Sequence, residues 1–285
     1  MQHSNTKDRK YFLGYLTAND SDFRVDLANL YLMTKKHPGV HKIEMYIVVS
    51  ELDSHKTNHN ALNQMSSLVA GCKWLSLNKI MIKGNIGRDF SSAQLFLSEI
   101  ENDAKDHDMV MIRNRSAYGP FKKNWYSSYL KLIDSNPHIG LVGTTINFTG
   151  SLDRSYLHAV THVQTYQYLC KWETISDFVT KFPGQNATER LEIIDEGEIG
   201  LSYGIMKKGL SIACLNWPNH TFSLENPADE NLPKGDIKMD VKSLPFLHRE
   251  SNPDYPGQVL SVLIKCKILL SRKAPVSIHQ TDKFY

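Results

Sequence analysis

Two polar segments of the chain have the residue types that bind a diphosphate in α/β proteins. The first, residues 85–90, reads NIGRDF and joins a predicted strand to a predicted helix. Its glycine allows a tight turn, so Arg88 and Asp89 stand at the helix start, where a guanidinium and backbone amides attract phosphate. Taken alone, the segment also fits an ordinary loop in which Asp89 caps the helix.

The second polar segment, residues 114–120, reads NRSAYGP and follows an apolar strand at 109–112. Ligands of α/β sheets bind at the carboxyl ends of the strands. We therefore expect the two segments to follow neighbouring strands and to form one site together. The predicted diphosphate-binding residues are Asn85, Gly87, Arg88, Asp89, Asn114, Arg115 and Ser116.

The spacing of apolar residues predicts the elements that position these segments. Strands and helices alternate in the first half, which predicts an α/β fold with a mostly parallel sheet flanked by helices. The predicted strands are 11–16, 43–49, 79–82 and 109–112, and the predicted helices are 22–36, 60–69 and one from 89. In the second half we expect helices at 123–134 and 198–208, strands at 139–142, 162–169 and 210–215, and loops over 218–256.

Composition excludes several functional classes. The 285 residues carry a net charge of +3, which is too small to indicate nucleic-acid binding. The four cysteines are scattered, which favours a reducing compartment over a disulfide framework or a zinc site. No segment reaches the ~20 apolar residues of a membrane span, and the polar N-terminus lacks a signal-peptide core. We expect a cytoplasmic protein.

Two later segments carry further groups with chemical potential. Residues 162–166 read HVQTY, and His162 and Gln164 share one strand face from which they can bind sugar hydroxyls or a phosphate. Residues 195–202 read DEGEIGLS, and Glu198 is a candidate general base. The plainer alternatives are an exposed polar strand and acidic residues that favour a helix N-terminus.

In their order along residues 12–215, these four segments resemble the GT-A glycosyltransferases, and more narrowly the bacterial rhamnan-synthesis F-like family. The resemblance implies a GT-A-like, Rossmann-type fold. It divides the chain into a nucleotide-sugar half at 1–120, an acceptor half at 121–235, and a C-terminal extension at 236–285 that packs on or beside them.

The resemblance also implies a function. Glu198 falls on the catalytic base of an inverting transferase, and the diphosphate-binding residues become ligands of a nucleotide-diphosphate sugar. The acceptor is a growing surface glycan or its lipid-linked form, in lipopolysaccharide, capsule or cell-wall polysaccharide. The implied acceptor-binding or sugar-binding residues are Tyr118, His162, Gln164, Tyr166 and Glu196.

One position departs from the family pattern. The family usually reads N-D-S-x-x-G-P at this turn, and GT-A enzymes use carboxylates there to hold Mg²⁺ or Mn²⁺, but this chain has Arg115. We expect an enzyme without cofactor or metal, in which Arg115 replaces the charge of the cation, although use of Mg²⁺ or Mn²⁺ stays open. Two alternatives are a site that no longer catalyses and an Arg115 that is merely a solvated turn residue.

Two rival functions and one partner surface stay open. The first rival is a non-catalytic GT-A-like module that binds glycan or a partner transferase. The second, a nicotinamide-dependent dehydrogenase, lacks the G-x-G-x-x-G that should follow its first strand. The basic C-terminal residues interleave with apolar ones, which fits either peripheral contact with an anionic membrane or a closing core helix. These residues are Lys265, Lys267, Arg272 and Lys273.

Overall fold

Four strands and three helices alternate along the first part of the chain. The structure is a computed structural model that describes residues 8–19, 23–52, 57–148, 161–226, 243–249 and 278–280. The elements of the first part are β1 (Tyr11–Ala18), α1 (Arg24–Lys35), β2 (Ile43–Glu51), α2 (His59–Ala70), β3 (Leu75–Gly84), α3 (Arg88–Ile100) and β4 (Met109–Asn114).

The second part is less regular and contains several short strands. Its elements are β5 (Ala117–Tyr118), α4 (Ser127–Ser135), β6 (Ile139–Gly143), β7 (Ile146–Asn147), β8 (His162–Val163), β9 (Gln167–Lys171), α5 (Trp172–Ile175), α6 (Arg190–Glu192), a π-helical segment (Ile193–Ile199), α7 (Gly200–Lys207), β10 (Ser211–Cys214), β11 (Trp217–Phe222), β12 (Leu247–His248) and β13 (Ile278–Gln280).

A single large sheet organises the described residues. Its strand order is β11-β10-β6-β9-β4-β1-β2-β3-β13. Strands β1 to β4 run parallel, as do β6 with β10 and β3 with β13. Strand β9 runs antiparallel between β4 and β6, and β11 is antiparallel to β10. The predicted fold class, an α/β Rossmann-type and mostly parallel sheet, is confirmed.

Helices cover both faces of this sheet and bury two apolar cores. Helices α1, α2 and α4 pack on one face, and α3, α5 and α7 pack on the other. Close approach of α3 requires Gly14 in β1, because a Cβ there would lie 2.5 Å from Cδ1 of Phe96. The sheet therefore holds α3 tightly across β1 and β2.

Three predictions were wrong, concerning a pair of neighbouring strands, a helix start and a loop. Strands β3 and β4 are not neighbours, because β1 and β2 lie between them. Helix α4 begins at Ser127 and not at 123, since Asn124 has a positive φ of 61° that no helix allows. The predicted loop 218–256 contains β11, whose Pro218 is tolerated because this strand forms the sheet edge.

Parts of the predicted C-terminal extension fall within the described residues. Strand β12 pairs with β5, and β13 adds to the edge of the large sheet beside β3. The basic residues of 265–273 lie outside the described residues. In the part of the chain that the structure describes, no helix is both long enough and apolar enough to cross a bilayer.

Candidate functional site

The two polar segments meet at the carboxyl edge of the sheet through one hydrogen bond. The side-chain amide of Asn114, at the end of β4, donates to the Asp89 carboxylate over 2.8 Å. The two segments follow strands that are not adjacent, and α3 brings them together by packing back across the sheet. Burial raises the pKa of Asp89, while the bond from Asn114 and the positive charge of Lys83 oppose that rise.

The loop before α3 is shaped by backbone conformation and not by a capping side chain. Gly87 (φ 67°) is the N-cap of α3 and Arg88 also has a positive φ of 44°. The prediction that Asp89 caps the helix was wrong, because Asp89 lies inside the first turn. A Cβ on Gly87 would collide with the carbonyl of Gln185, so only glycine fits there.

Two of the backbone amides expected to bind phosphate are already used within the protein. The amide of Gly87 donates to the carbonyl of Ala187 over 3.2 Å, and that of Arg88 donates to Asn85 over 3.1 Å. The side chain of Arg88 is exposed, and Asn85 beside it is half-buried. An anion at this loop would therefore meet the Arg88 guanidinium and not these two amides.

Lys83 is a charged residue of this edge that the motif analysis missed. Its side chain is buried at the end of β3, where Nζ donates to the carbonyls of Gly84 over 2.6 Å and Ile86 over 3.3 Å. Burial lowers its pKa to about 8, and Asp89 partly offsets that effect. The sequence does contain a feature that could have indicated it, namely a lysine near the end of an apolar strand, two residues before the NIGRDF segment.

Arg115 is anchored to α1 and is not a solvated turn residue. Its Nη2 lies 3.2 Å from Oδ2 of Asp26, and its Nη1 donates to the carbonyl of Ala18 over 3.2 Å. Asp26 is fully buried and accepts a hydrogen bond from the Tyr15 hydroxyl over 2.8 Å. The charge of Arg115 is therefore matched by a carboxylate that the sequence analysis did not single out.

The remaining residue of this turn, Ser116, is fixed by its backbone. Its amide donates to Oδ1 of Asn114 over 2.9 Å, and its carbonyl accepts from the amide of Arg249 over 2.9 Å. The Asn114 side chain therefore bridges Ser116 and Asp89, which gives the turn one defined conformation.

Glu198 was predicted to begin a helix, but it lies inside the π-helical segment. The helical stretch begins eight residues earlier, at Arg190, where Glu189 and Glu192 form a capping box. A Cβ on Gly197 would lie 2.4 Å from ring atoms of Phe90, so Gly197 lets this segment pack directly on α3. Single π-helical turns are frequent at functional sites.

The environment of Glu198 favours its neutral form. The side chain is 28% exposed. Burial raises its pKa to about 7, a hydrogen bond with the Thr165 side chain opposes that rise, and the negative charge of Asp89 adds to it. A carboxyl group that titrates near neutral pH is suited to proton transfer. Thr165 is a third residue of this site, after Lys83 and Asp26, that the sequence analysis did not select.

The predicted acceptor-binding residues do not form one surface. His162 is 1% exposed, with Nε2 3.7 Å from Oε2 of Glu198. Gln164 and Tyr166 both bond to the Thr145 hydroxyl, over 2.7 and 2.9 Å, and burial raises the pKa of Tyr166 to about 12. Glu196 is exposed, two residues from Glu198.

Tyr118 lies apart from this group, in the short β5 strand. It pairs with Leu247 of β12, and its side chain is largely buried. Burial raises the pKa of its hydroxyl, and the nearby Arg249 and Arg115 partly oppose that effect.

The donor set at the turn does not fit a divalent cation. The side chains of residues 114–116 are an amide, a guanidinium and a hydroxyl. The two carboxylates that contact them are already engaged, Asp89 by Asn114 and Asp26 by Arg115. Across the described ranges, no three His, Cys, Asp or Glu side chains are grouped closely enough to hold a metal ion. Mg²⁺ prefers several oxygen ligands that include carboxylates.

Comparison with known proteins gives structural matches alone. No family model matches the chain, so the narrower resemblance to the rhamnan-synthesis F-like family stays a prediction. No curated protein matches it either.

Three solved structures illustrate the extent of the structural matches. Mannosyltransferase PcManGT from Pyrobaculum calidifontis, in complex with GDP-Man and Mn²⁺, is 11% identical over 73% of this chain, with a TM-score of 0.46. A cytidylyltransferase from Leptospira borgpetersenii is 10% identical over 95% of this chain and 99% of its own, with a TM-score of 0.41. TarS from S. aureus is 12% identical over 70% of this chain and 38% of its own, with a TM-score of 0.41.

The chain spans 55% of the length of the mannosyltransferase. At these identities and TM-scores, the overlap carries no conclusion about the activity of this chain.

The Arg115–Asp26 ion pair leads to a stability prediction. We expect Arg115→Met to lower the free energy of unfolding by about 3 kcal/mol, because it leaves the Asp26 carboxylate buried without that cation. Denaturant unfolding measures the change. Arg88→Met, at an exposed position, is the control and should change stability by less than about 0.5 kcal/mol. The double variant Asp26→Asn with Arg115→Met should regain part of the loss, and a fully stable Arg115→Met would contradict the assignment.

Proposed function

We propose that this protein is an inverting glycosyltransferase that uses a nucleotide-diphosphate sugar. One observation carries the proposal: the half-buried Glu198 carboxyl lies beside the Asp89–Asn114 pair at the carboxyl edge of an α/β sheet. That edge is where such sheets bind nucleotides. Glu198 is thus a proton acceptor next to a polar surface suited to a nucleotide sugar.

In the proposed reaction Glu198 must be ionised before the attack and must bind a proton during it. It takes the proton from an acceptor hydroxyl while that oxygen attacks the anomeric carbon from the side opposite the departing diphosphate. A pKa of about 7 lets the group be ionised at neutral pH and yet bind the proton firmly enough to assist the attack. An ordinary surface glutamate is a weaker base than this one.

The donor half of the proposal places the diphosphate against Arg88. This guanidinium is exposed at the end of α3 that carries positive dipole charge. Asn114 is half-buried at the same edge and can bond to sugar or phosphate oxygens. Arg115 contributes less than the sequence suggested, because Asp26 balances its charge.

The acceptor half is proposed from the resemblance and from the position of Glu198. A glycan that presents a hydroxyl to Glu198 lies near Gln164, which is half-buried on the same polypeptide segment as Thr165. A bacterial surface polysaccharide, or its lipid-linked precursor, is the proposed acceptor class. Peripheral membrane contact through the basic residues of 265–273 stays a prediction.

A second candidate is a non-catalytic module with the same fold. One observation favours it: the turn at 114–116 offers no carboxylate for a metal, and its one cation is engaged by Asp26. Such a module would bind a nucleotide or a glycan without turnover. Turnover by the wild type, assayed beside its Glu198 variant, separates the two candidates.

Metal independence is the first prediction of the proposal. Since the turn at 114–116 lacks carboxylates, neither Mg²⁺ nor Mn²⁺ has the ligands that it prefers there. We expect transferase turnover to be unchanged by EDTA and to rise by less than about twofold with added Mn²⁺. Turnover abolished by EDTA and restored by Mn²⁺ would contradict this prediction and would identify Asp89 as the first ligand to test.

The role of Glu198 is the central prediction. Glu198→Gln keeps the size of the side chain but removes its basicity, so turnover should fall by ~10²–10⁴-fold. Donor affinity should change little, because Glu198 acts on the acceptor. Steady-state assays with a nucleotide-sugar donor and calorimetric titration of the donor measure the two effects separately.

The control for this prediction is the exposed neighbour Glu196. Glu196→Gln should retain full turnover, and in the wild type the rate should rise with pH through about 7 as Glu198 loses its proton. Full turnover by Glu198→Gln would show that the base lies elsewhere. A wild type that binds donor without turnover would favour the non-catalytic module.

A further inference from the structure

His162 is placed where an acceptor sugar cannot reach it. The side chain is 1% exposed, and its strand β8 pairs with β7 through Asn147. The next residue, Val163, donates its amide to the Ser202 hydroxyl of α7 over 3.0 Å. The strand pairing and this hydrogen bond fix the backbone of β8, and burial restricts the imidazole inside the protein.

From that position, the imidazole faces the candidate base. Its Nε2 lies 3.7 Å from Oε2 of Glu198, which is an ion-pair distance and is longer than a hydrogen bond. At that distance the partial positive charge of an Nε2–H still attracts the ionised carboxylate. Thr165, three residues further along, also bonds to Glu198. One short segment therefore supplies two polar groups to the same carboxyl.

The groups that act on the charge of Glu198 come from α3, from β8 and from the residues just after β8. Asp89 on α3 disfavours the ionised form of Glu198, as burial does, whereas the Thr165 hydroxyl favours it. His162 on β8 contributes the ring nitrogen Nε2, 3.7 Å from the Glu198 carboxyl. Three cations favour the ionised form of Asp89 and so act on Glu198 indirectly. They are Lys83, Arg88 and Arg115.

We propose that His162 is a positioning residue, whose Nε2–H holds the Glu198 carboxylate in place and favours its ionised state, and that it does not bind the acceptor. The neutral imidazole with its proton on Nε2 is the tautomer that can donate to Oε2. The inference rests on the proposed function in one respect, since Glu198 is the residue that it serves.

The test follows the titration of Glu198 directly and needs no substrate. Protein labelled with ¹³C at the glutamate carboxyl carbon is titrated by NMR, and Glu198→Gln identifies the signal. In His162→Phe, which removes the donor, we expect the Glu198 midpoint to move upward by about one pH unit. His162→Gln keeps a donor and should bring the midpoint back toward that of the wild type.

The matched control is a histidine–carboxylate pair at the opposite edge of the sheet. Nε2 of His107 lies 3.9 Å from Asp108, which directly precedes β4. His107→Phe should leave the Glu198 midpoint unchanged. If His162→Phe does not fold, His162→Leu removes the same donor with less bulk.

An unchanged Glu198 midpoint in the folded Phe or Leu variant overturns the inference. Failure of the proposed function has a different signature: Glu198→Gln would keep full turnover, while the effect of His162 on the titration would persist. The two failures are therefore distinguishable.

Discussion

The first turn of α3 is the constraint on which the rest of the candidate site depends. Three contacts start from it: Gly87 against the backbone of Gln185, Asp89 to Asn114 over 2.8 Å, and Phe90 against Gly197. The second contact joins α3 to the end of β4. The third seats the π-helical segment, which carries Glu198 one residue beyond Gly197.

Burial of charge at the same edge gives the site its chemistry. Lys83, Asp89 and Glu198 all have pKa values shifted toward their neutral forms, and burial is the largest cause in each case. Their mutual attractions and repulsions then adjust these shifts. The Asp26–Arg115 pair differs from these groups, because its two charges balance each other. The edge therefore combines a fixed ion pair with groups that can exchange protons.

Local pattern predicted the helices and strands of the first half of the chain, although β3 begins four residues before its predicted start. Apolar runs and helical spacing predicted β1, β2 and α1 to within two residues at each end, because burial on a sheet face imposes those periods. The polar segments after β3 and β4 do meet, but α3 brings them together, and their strands, which had been expected to be neighbours, are not. Strand adjacency was not predictable, because the order of strands depends on contacts that are distant in sequence.

The parts that failed depend on tertiary packing. The π-helical segment packs directly on α3 because Gly197 leaves room for the ring of Phe90, more than a hundred residues earlier, and no local pattern encodes that contact. The sequence did not indicate that Asp26 pairs with Arg115, because an aspartate in the first turn of a helix is already accounted for by the helix dipole. Roles of the individual site residues stay predictions for the same reason: they concern ligands as well as packing.

The central claim is that this edge of the sheet binds a nucleotide-diphosphate sugar. Calorimetric titration of nucleoside diphosphates, with wild type and Arg88→Ala compared side by side, tests it most directly. We expect at least one nucleoside diphosphate to bind the wild type and Arg88→Ala to weaken that binding about tenfold or more. Lys131→Ala, an exposed residue of α4 on the other face, should bind as the wild type does. Binding of no nucleoside diphosphate, or equal binding by Arg88→Ala, would contradict the claim.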